Sequence, residues 1–175
     1  MWQAIILIHT NVYFCPMKKY VFGIVFGLIL ASCGSDDDIC LSGEGTPRMK
    51  VKFLNTGNNA YKIPKIFVDV DYGNGLKNVI NTSNVDSVLI PLRVDRSEST
   101  QIRVRTDKDT IGSVLQFYYG TSTQYVSPAC GMKLLYNNLS GKIESGNLIK
   151  SIQNQQTEIN DENLTHYHFI FDAND

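Results

Sequence analysis

Apolar and polar residues alternate with a period of two along most of the chain after Arg48. In the stretch RMKVKFLNT, Met49, Val51 and Phe53 alternate with basic residues. Successive side chains of a β-strand point to opposite faces, so this period indicates strands that bury one face. Segments of this kind are RMKVKFLNT, KIFVDVDY, DSVLIPLRV, QIRVRT, SVLQFYYG, TQYVSPACG, KLLYNNLSG, LIKSIQNQQTEI and HYHFIF.

Turn-forming residues separate these segments at YGNG (72–75), TDKD (106–109) and LSG (139–141). No segment has a convincing amphipathic helical period. The pattern therefore predicts an all-β fold, a single antiparallel β-sandwich of about nine strands, immunoglobulin-like or transthyretin-like. The order of the strands does not follow from the sequence.

The N-terminal residues have a different pattern. Two lysines follow Met17, and an apolar run covers residues 20–30. The run is shorter than the ~20 residues that span a bilayer, but it is typical of a signal peptide. The next residues, LASC at 30–33, resemble a bacterial lipobox, which predicts that Cys33 becomes the lipidated N-terminus. A signal anchor and ordinary secretory cleavage are the alternatives, and Met17 is interpreted as the true start.

This division predicts a signal peptide at residues 1–32, a lipidated acidic tether at 33–39 and one β-sandwich domain at 40–175. The aspartates at 36–38 resemble the signal that sends some Bacteroidota lipoproteins to the outer face of the outer membrane. The chain is therefore expected to be an outer-membrane lipoprotein exposed at the cell surface, or otherwise at the periplasmic face. The alternative is that the aspartates form only a solvated spacer.

Four cysteines occur in the chain, at positions 15, 33, 40 and 130. Once Cys15 is removed and Cys33 is lipidated, Cys40 and Cys130 remain. Outside the cytoplasm, an even pair in a β-rich domain most simply forms a disulfide.

Composition excludes one class of partner. Lys and Arg total 16 against 17 Asp and Glu, in 175 residues. Since nucleic-acid-binding proteins usually carry a basic excess, no nucleic-acid partner is expected.

Five short motifs occur in order along the chain: DDIC (37–40), TPR (46–48), DSV (86–88), VSPACG (126–131) and INDE (159–162). Together they resemble a family of small Bacteroidota lipoproteins, the domain of unknown function number sixty-four fifty-two. The resemblance covers the mature chain, implies a lipoprotein with paired Cys40 and Cys130, and implies no activity.

Catalytic motifs are absent from the sequence: it has no GxSxG elbow, P-loop, HExxH or CxxC. We therefore expect no catalytic residue, cofactor or metal site. His166 and His168 in THYHFIF would share one strand face and are predicted to point to solvent, with zinc or copper binding as the alternative. The stretch DVDYGNG (69–75) resembles a calcium loop but lacks ligands at two required positions, which favours a hairpin.

Two surface features remain as hypotheses. Arg93, Arg103 and Arg105, with Lys50 and Lys52, could form a basic face for an anionic glycan or lipid headgroup, although such residues are usually the solvated side of strands. Ser87 in DSV and Thr110 in DTI match the Asp-Ser/Thr-aliphatic acceptor, which predicts O-glycosylation. The alternative is that these residues only start strands after turns.

These observations predict a lipid-anchored binding or structural module of the cell envelope, attached to the membrane and with an envelope protein or glycan as partner. The alternatives are an accessory subunit of an outer-membrane transport or secretion complex, or a hydrolase of envelope glycans. A glycan hydrolase needs two carboxylates across a cleft, and Asp69 and Asp71 on one strand are a poor pair.

Overall fold

The structure is a computed structural model, and it describes residues 45–108, 111–128 and 130–172. The predicted signal peptide, the lipidation site Cys33, Cys40 and Thr110 lie outside these residues. The described residues fall within one compact unit, Asp38–Asp175.

Strands are the regular elements of the described chain, and no helix in it is long and apolar enough to cross a membrane. The strands are β1 (Met49–Asn55), β2 (Ile63–Asp71), β3 (Leu76–Val85), β4 (Ser87–Ile90), β5 (Ser99–Arg105), β6 (Ser113–Ser127), β7 (Gly131–Ser145), β8 (Ile149–Asn154) and β9 (Tyr167–Phe171).

The strands form two sheets. One has four strands in the order β4-β1-β9-β8, and the other has five in the order β3-β2-β5-β6-β7. All neighbours are antiparallel except β1 and β9, which run parallel from the pair Val51 and Tyr167 to the pair Asn55 and Phe171. The purely antiparallel prediction is wrong for this pair. Parallel neighbours need a long crossover, and here the connection is the rest of the domain.

The inner faces of the two sheets share one hydrophobic core. The Phe117 ring on β6 lies 5.1 Å from the Tyr167 ring and 6.3 Å from the Phe169 ring, both on β9 of the other sheet. Alternate residues of β1 and β5, among them Val51 and Ile102, are fully buried in the same cluster. The predicted all-β architecture is confirmed at this level.

Several predicted boundaries are wrong. The hydrophobic pattern does not predict β3, because its sequence LKNVINTSNV is mostly polar and it lies exposed at a sheet edge. SVLQFYYG and TQYVSPACG belong largely to the single strand β6, and the predicted turn at residues 139–141 lies inside β7. β4 ends at Ile90, before Pro91, so Val94 is 62% exposed rather than part of a buried strand face.

Candidate functional site

A cleft opens where the edge strands of the two sheets meet. β3 ends at Val85 and β4 begins at Ser87, so the chain passes from one sheet to the other at Asp86. The cleft has a volume of about 460 Å³. Its lining combines cations, hydroxyl and amide groups with aliphatic side chains: Arg48, Lys50, Ile80, Thr82, Val85, Ser87, Val88, Leu89, Glu162 and Asn163.

One wall of the cleft is an ion pair between residues 114 positions apart. Arg48 Nε donates to Glu162 Oε2 at 3.0 Å, and Arg48 Nη2 donates to Glu162 Oε1 at 3.0 Å. Two parallel bonds fix the relative orientation of guanidinium and carboxylate. The bonds from Arg48 lower the pKa of Glu162, which keeps this carboxylate charged.

Lys50 attaches the β8–β9 loop to the same wall. Its Nζ donates to the backbone oxygen of Asn163 at 3.1 Å. Its backbone N–H donates to His166 Nδ1 at 2.9 Å, and its backbone oxygen accepts from the His166 N–H at 2.9 Å. These three bonds hold the loop that carries Glu162 and Asn163 against β1.

Ser87 also lines the cleft, at the start of β4. It is half-buried, and its Oγ donates to Asp86 Oδ1 at 3.0 Å. The predicted glycosylation site at Ser87 is therefore part of the cleft.

The cleft combines the features of a binding site. Aliphatic side chains from β3 and β4 offer apolar contact, while Thr82, Ser87 and Asn163 offer hydrogen bonds. Ligand sites typically pair such apolar surface with a few polar groups that fix orientation. No cluster of three metal-ligating side chains occurs among the described residues.

Residues 72–171 match the model of one protein family, described as a family of unknown function (DUF6452). The match covers more than half of the chain. The protein belongs to the DUF6452 family. No curated protein and no solved structure matches it.

Three of the five motifs identified in the sequence contribute a residue to the cleft. Arg48 ends TPR, Ser87 is central in DSV, and Glu162 ends INDE. The matched range contains the last two but not Arg48. Sequence reasoning missed the cleft itself, because the hydrophobic pattern does not reveal β3, which supplies Ile80 and Thr82.

The predicted basic face of this DUF6452 protein does not form. Lys50 and Lys52 lie on the four-stranded sheet, whereas Arg103 and Arg105 lie on the five-stranded sheet. The Arg103 and Arg105 side chains are also engaged by Asp69 on the adjacent β2. Arg93 pairs with Asp95. The three arginines are therefore paired with carboxylates, and the two lysines lie on the other sheet from Arg103 and Arg105.

Asp69 lies on the outer face of β2, opposite Arg103, as the alternation of the strand indicates. It is nevertheless only 2% exposed, because Arg103 and Arg105 pack against it. Its Oδ2 accepts from Arg103 Nε and Arg105 Nε, each at 3.0 Å, and its Oδ1 accepts from Asn78 Nδ2 at 2.9 Å. Burial alone would raise the pKa of Asp69, but the bonds from Arg105, Asn78 and Arg103 outweigh burial and lower it.

The prediction that both histidines point to solvent is wrong for His166, which is fully buried, while His168 is half-buried. His166 precedes β9 and has Nδ1 bonded to the Lys50 N–H. Its Nε2 has no hydrogen-bond partner among the described residues. Burial lowers the pKa of both imidazoles, and the positive charge of Lys52 adds to this for His168.

The hairpin prediction at residues 72–75 is confirmed. Asp71 Oδ1 accepts from the N–H groups of Gly73 and Gly75, at 2.7 and 3.1 Å. Both glycines have positive φ, 94° and 90°, which glycine adopts without strain. The Asp71 carboxylate thus closes the β2–β3 turn.

Cys130 lies in the turn between β6 and β7, where its N–H donates to Ser127 Oγ at 3.1 Å. Its predicted partner Cys40 lies outside the described residues, as do Cys33 and Thr110. The pairing, the lipidation and the modification of Thr110 stay predictions.

Proposed function

We propose that the protein is a lipid-anchored β-sandwich of the cell envelope that binds an envelope protein or glycan in the cleft between β3 and β4. The observation that carries the binding role is the cleft of about 460 Å³ with its mixed polar and apolar lining. The same proposal includes a sandwich of the immunoglobulin-like or transthyretin-like type and exposure of the domain at the cell surface.

The anchor is supported by the sequence around Cys33 and by the two cysteines that follow it. The lipobox-like LASC places Cys33 12 residues before Gly45, the first described residue. In the same proposal, Cys130 forms a disulfide. Disulfides persist in oxidising compartments, and Cys40 is the partner that remains after lipidation and signal removal.

The carboxylates described on β2 and at the cleft do not support the glycan-hydrolase alternative. Asp69 is buried beneath two arginines, Asp71 closes a turn, and Glu162 is bonded to Arg48. Glycoside hydrolysis needs two carboxyl groups facing each other across the substrate. These three carboxylates have structural partners instead.

Occupancy of the cleft is tested by site-specific crosslinking in the native host. A photo-reactive amino acid replaces Thr82, which lines the cleft, or Ser83, the next residue of β3, which is exposed and lies outside the cleft lining. We expect a defined adduct, a glycan or a single protein, from position 82 and none from position 83. Equal labelling at both positions, or none at either, would contradict a cleft-bound ligand.

The anchor is tested by fractionation. Replacement C33A should move the protein from the membrane pellet to the soluble fraction, because acyl chains supply about 0.8 kcal/mol per buried methylene. The control C15A, in the segment predicted to be removed, should leave the protein in the pellet. If C33A still pellets after a salt wash, the lipoprotein proposal is wrong.

A further inference from the structure

β6 and β7 continue past the five-stranded sheet as a two-stranded ribbon. β5 pairs with β6 only up to Tyr118, whereas β6 pairs with β7 on to Ser127. The ribbon comprises residues 120–127 and 131–137. At about 3.3 Å per residue, its β6 arm extends about 23 Å from residue 120 to residue 127.

The outer end of this ribbon exposes an aromatic and a thioether side chain together. Tyr125 and Met132 are direct cross-strand partners, and each is 60% exposed. Side chains of directly opposite residues lie on the same face, about 5 Å apart at Cβ. The pair therefore presents one continuous apolar surface near the turn.

Two observations bring this end of the ribbon close to the proposed anchor. Thr46 Oγ1 accepts from the Leu134 N–H at 3.0 Å, so the first described residues run beside the ribbon two positions from Met132. Cys130 lies in the ribbon turn, where the proposed bridge to Cys40 would join it to the tether.

Chain length limits the distance to the lipid. Thr46 is 13 residues from Cys33, which is at most about 45 Å of extended chain. With the proposed Cys40–Cys130 bridge, only seven residues separate the ribbon turn from the lipid, at most about 25 Å. The Tyr125–Met132 pair is therefore held within reach of the bilayer surface.

We propose that the Tyr125–Met132 end of the ribbon docks into the membrane interface and serves as a second attachment point beside the lipid. Tyrosine suits this boundary because its ring is apolar and its hydroxyl remains hydrated, and methionine adapts to acyl chains. Two attachment points fix the orientation of the domain, where one flexible tether would not. This inference rests on the proposed lipid anchor.

The chain itself offers a clean reporter. Its single tryptophan is Trp2, in the segment predicted to be removed from the mature protein. In the lipidated protein, Y125W thus introduces the sole tryptophan at the ribbon end. The matched control is Y118W, an exposed tyrosine of the same strand that pairs with β5 in the body of the sheet.

Each lipidated variant is reconstituted into vesicles of phosphatidylethanolamine and phosphatidylglycerol, with or without brominated acyl chains. We expect Y125W emission to shift to shorter wavelength on reconstitution and to be quenched by the brominated lipid, while Y118W shows neither change. Identical, unquenched emission from both variants would overturn the proposal. M132W serves as a second reporter of the same surface should Y125W fail to fold by circular dichroism.

The two proposals fail in distinguishable ways. Intact mass and flotation with vesicles report the lipid anchor before any fluorescence is measured. A protein without lipid mass refutes the anchor, whereas a lipidated, floating Y125W protein with unquenched emission refutes only the docking. A blue shift of the Y125W emission in native membranes but not in protein-free vesicles would indicate a protein partner and would also overturn the lipid assignment.

Discussion

His166 is a buried histidine at the contact between the β8–β9 loop and β1. Its Nδ1 accepts from the Lys50 N–H, which places its own proton on the buried Nε2. Burial lowers the pKa of His166, the negative charge of Asp161 opposes this, and the positive charge of Lys50 adds to it. The native protein therefore holds this imidazole neutral at a pH where the unfolded chain would protonate it.

Stability should consequently fall as the pH drops below about 6.5, the ordinary histidine value. Below it the unfolded state binds a proton that the native state does not, until the lowered native pKa is reached. The slope from one such group is at most about 1.4 kcal/mol per pH unit. Urea unfolding between pH 7.5 and 5.5 measures it.

Variants of the two histidines separate the contribution of His166 to this pH dependence from that of His168. H166Q should flatten the dependence of unfolding free energy on pH in that range. H168Q should remove a smaller part, because His168 is only half-buried. An H166Q protein with the wild-type slope would show that another group causes the loss.

Ser87 is predicted to be O-glycosylated. Its hydroxyl is half-buried at the cleft and bonded to Asp86. Protein from the native host should exceed the lipidated polypeptide mass by a glycan, and S87A together with T110A should remove that excess. S83A, an exposed serine outside the motif, is the control. A mass equal to that of the lipidated polypeptide alone would exclude the modification.

At the scale of elements, the Asp69 carboxylate connects three neighbouring strands. Asp69 on β2 accepts bonds from Asn78 on β3 and from Arg103 and Arg105 on β5. D69N removes the charge that two cations face. We expect a loss of about 2–3 kcal/mol in unfolding free energy, since one partner of a buried pair is neutralised while the others remain.

The same strand supplies the control for this prediction. D71N makes the same chemical change two residues away, where an amide oxygen can still accept from Gly73 and Gly75. D71N should reduce the free energy of unfolding only slightly. Chemical denaturation of both variants compares them, and equal losses would mean that the arginine pairs contribute nothing specific.

The alternation of apolar and polar residues predicts the strands that bury one face. It fails where contacts with the neighbouring strand decide whether a residue lies in a strand or a turn. Gly120 and Gly141 look like turn residues but lie inside β6 and β7. A Cβ on Gly120 would lie 2.3 Å from Asn137 Oδ1, and one on Gly141 would lie 2.6 Å from the Phe117 ring. Both glycines permit close approach within a sheet, which a single sequence does not distinguish from a turn.

For the whole molecule, the proposed Cys40–Cys130 bridge would close a loop of about 90 residues. Closing a loop of this length would raise the free energy of unfolding by roughly 4–5 kcal/mol at most. C40S, C130S and the double variant should lose the same free energy of unfolding, because either change removes the one bond. Unequal or additive losses, or two free thiols in the oxidised wild-type protein, would contradict the pairing.

The candidate cleft illustrates what the sequence could not predict. Short motifs indicate Arg48, Ser87 and Glu162 separately, and the structure brings them to one place. The Arg48–Glu162 pair joins residues 114 positions apart, so its formation depends on the strand order. Strand order follows from packing between sheets, which the period of a single strand does not encode.

The parallel contact between β1 and β9 has a consequence for biosynthesis. Phe53 and Phe169 are neighbours in the four-stranded sheet although 116 residues separate them, and both strands are central in that sheet. Contacts between such distant residues form late and slow folding. Translation must therefore reach β9 before this half of the domain can close, and a premature stop codon upstream of β9 removes the middle of the sheet rather than its margin.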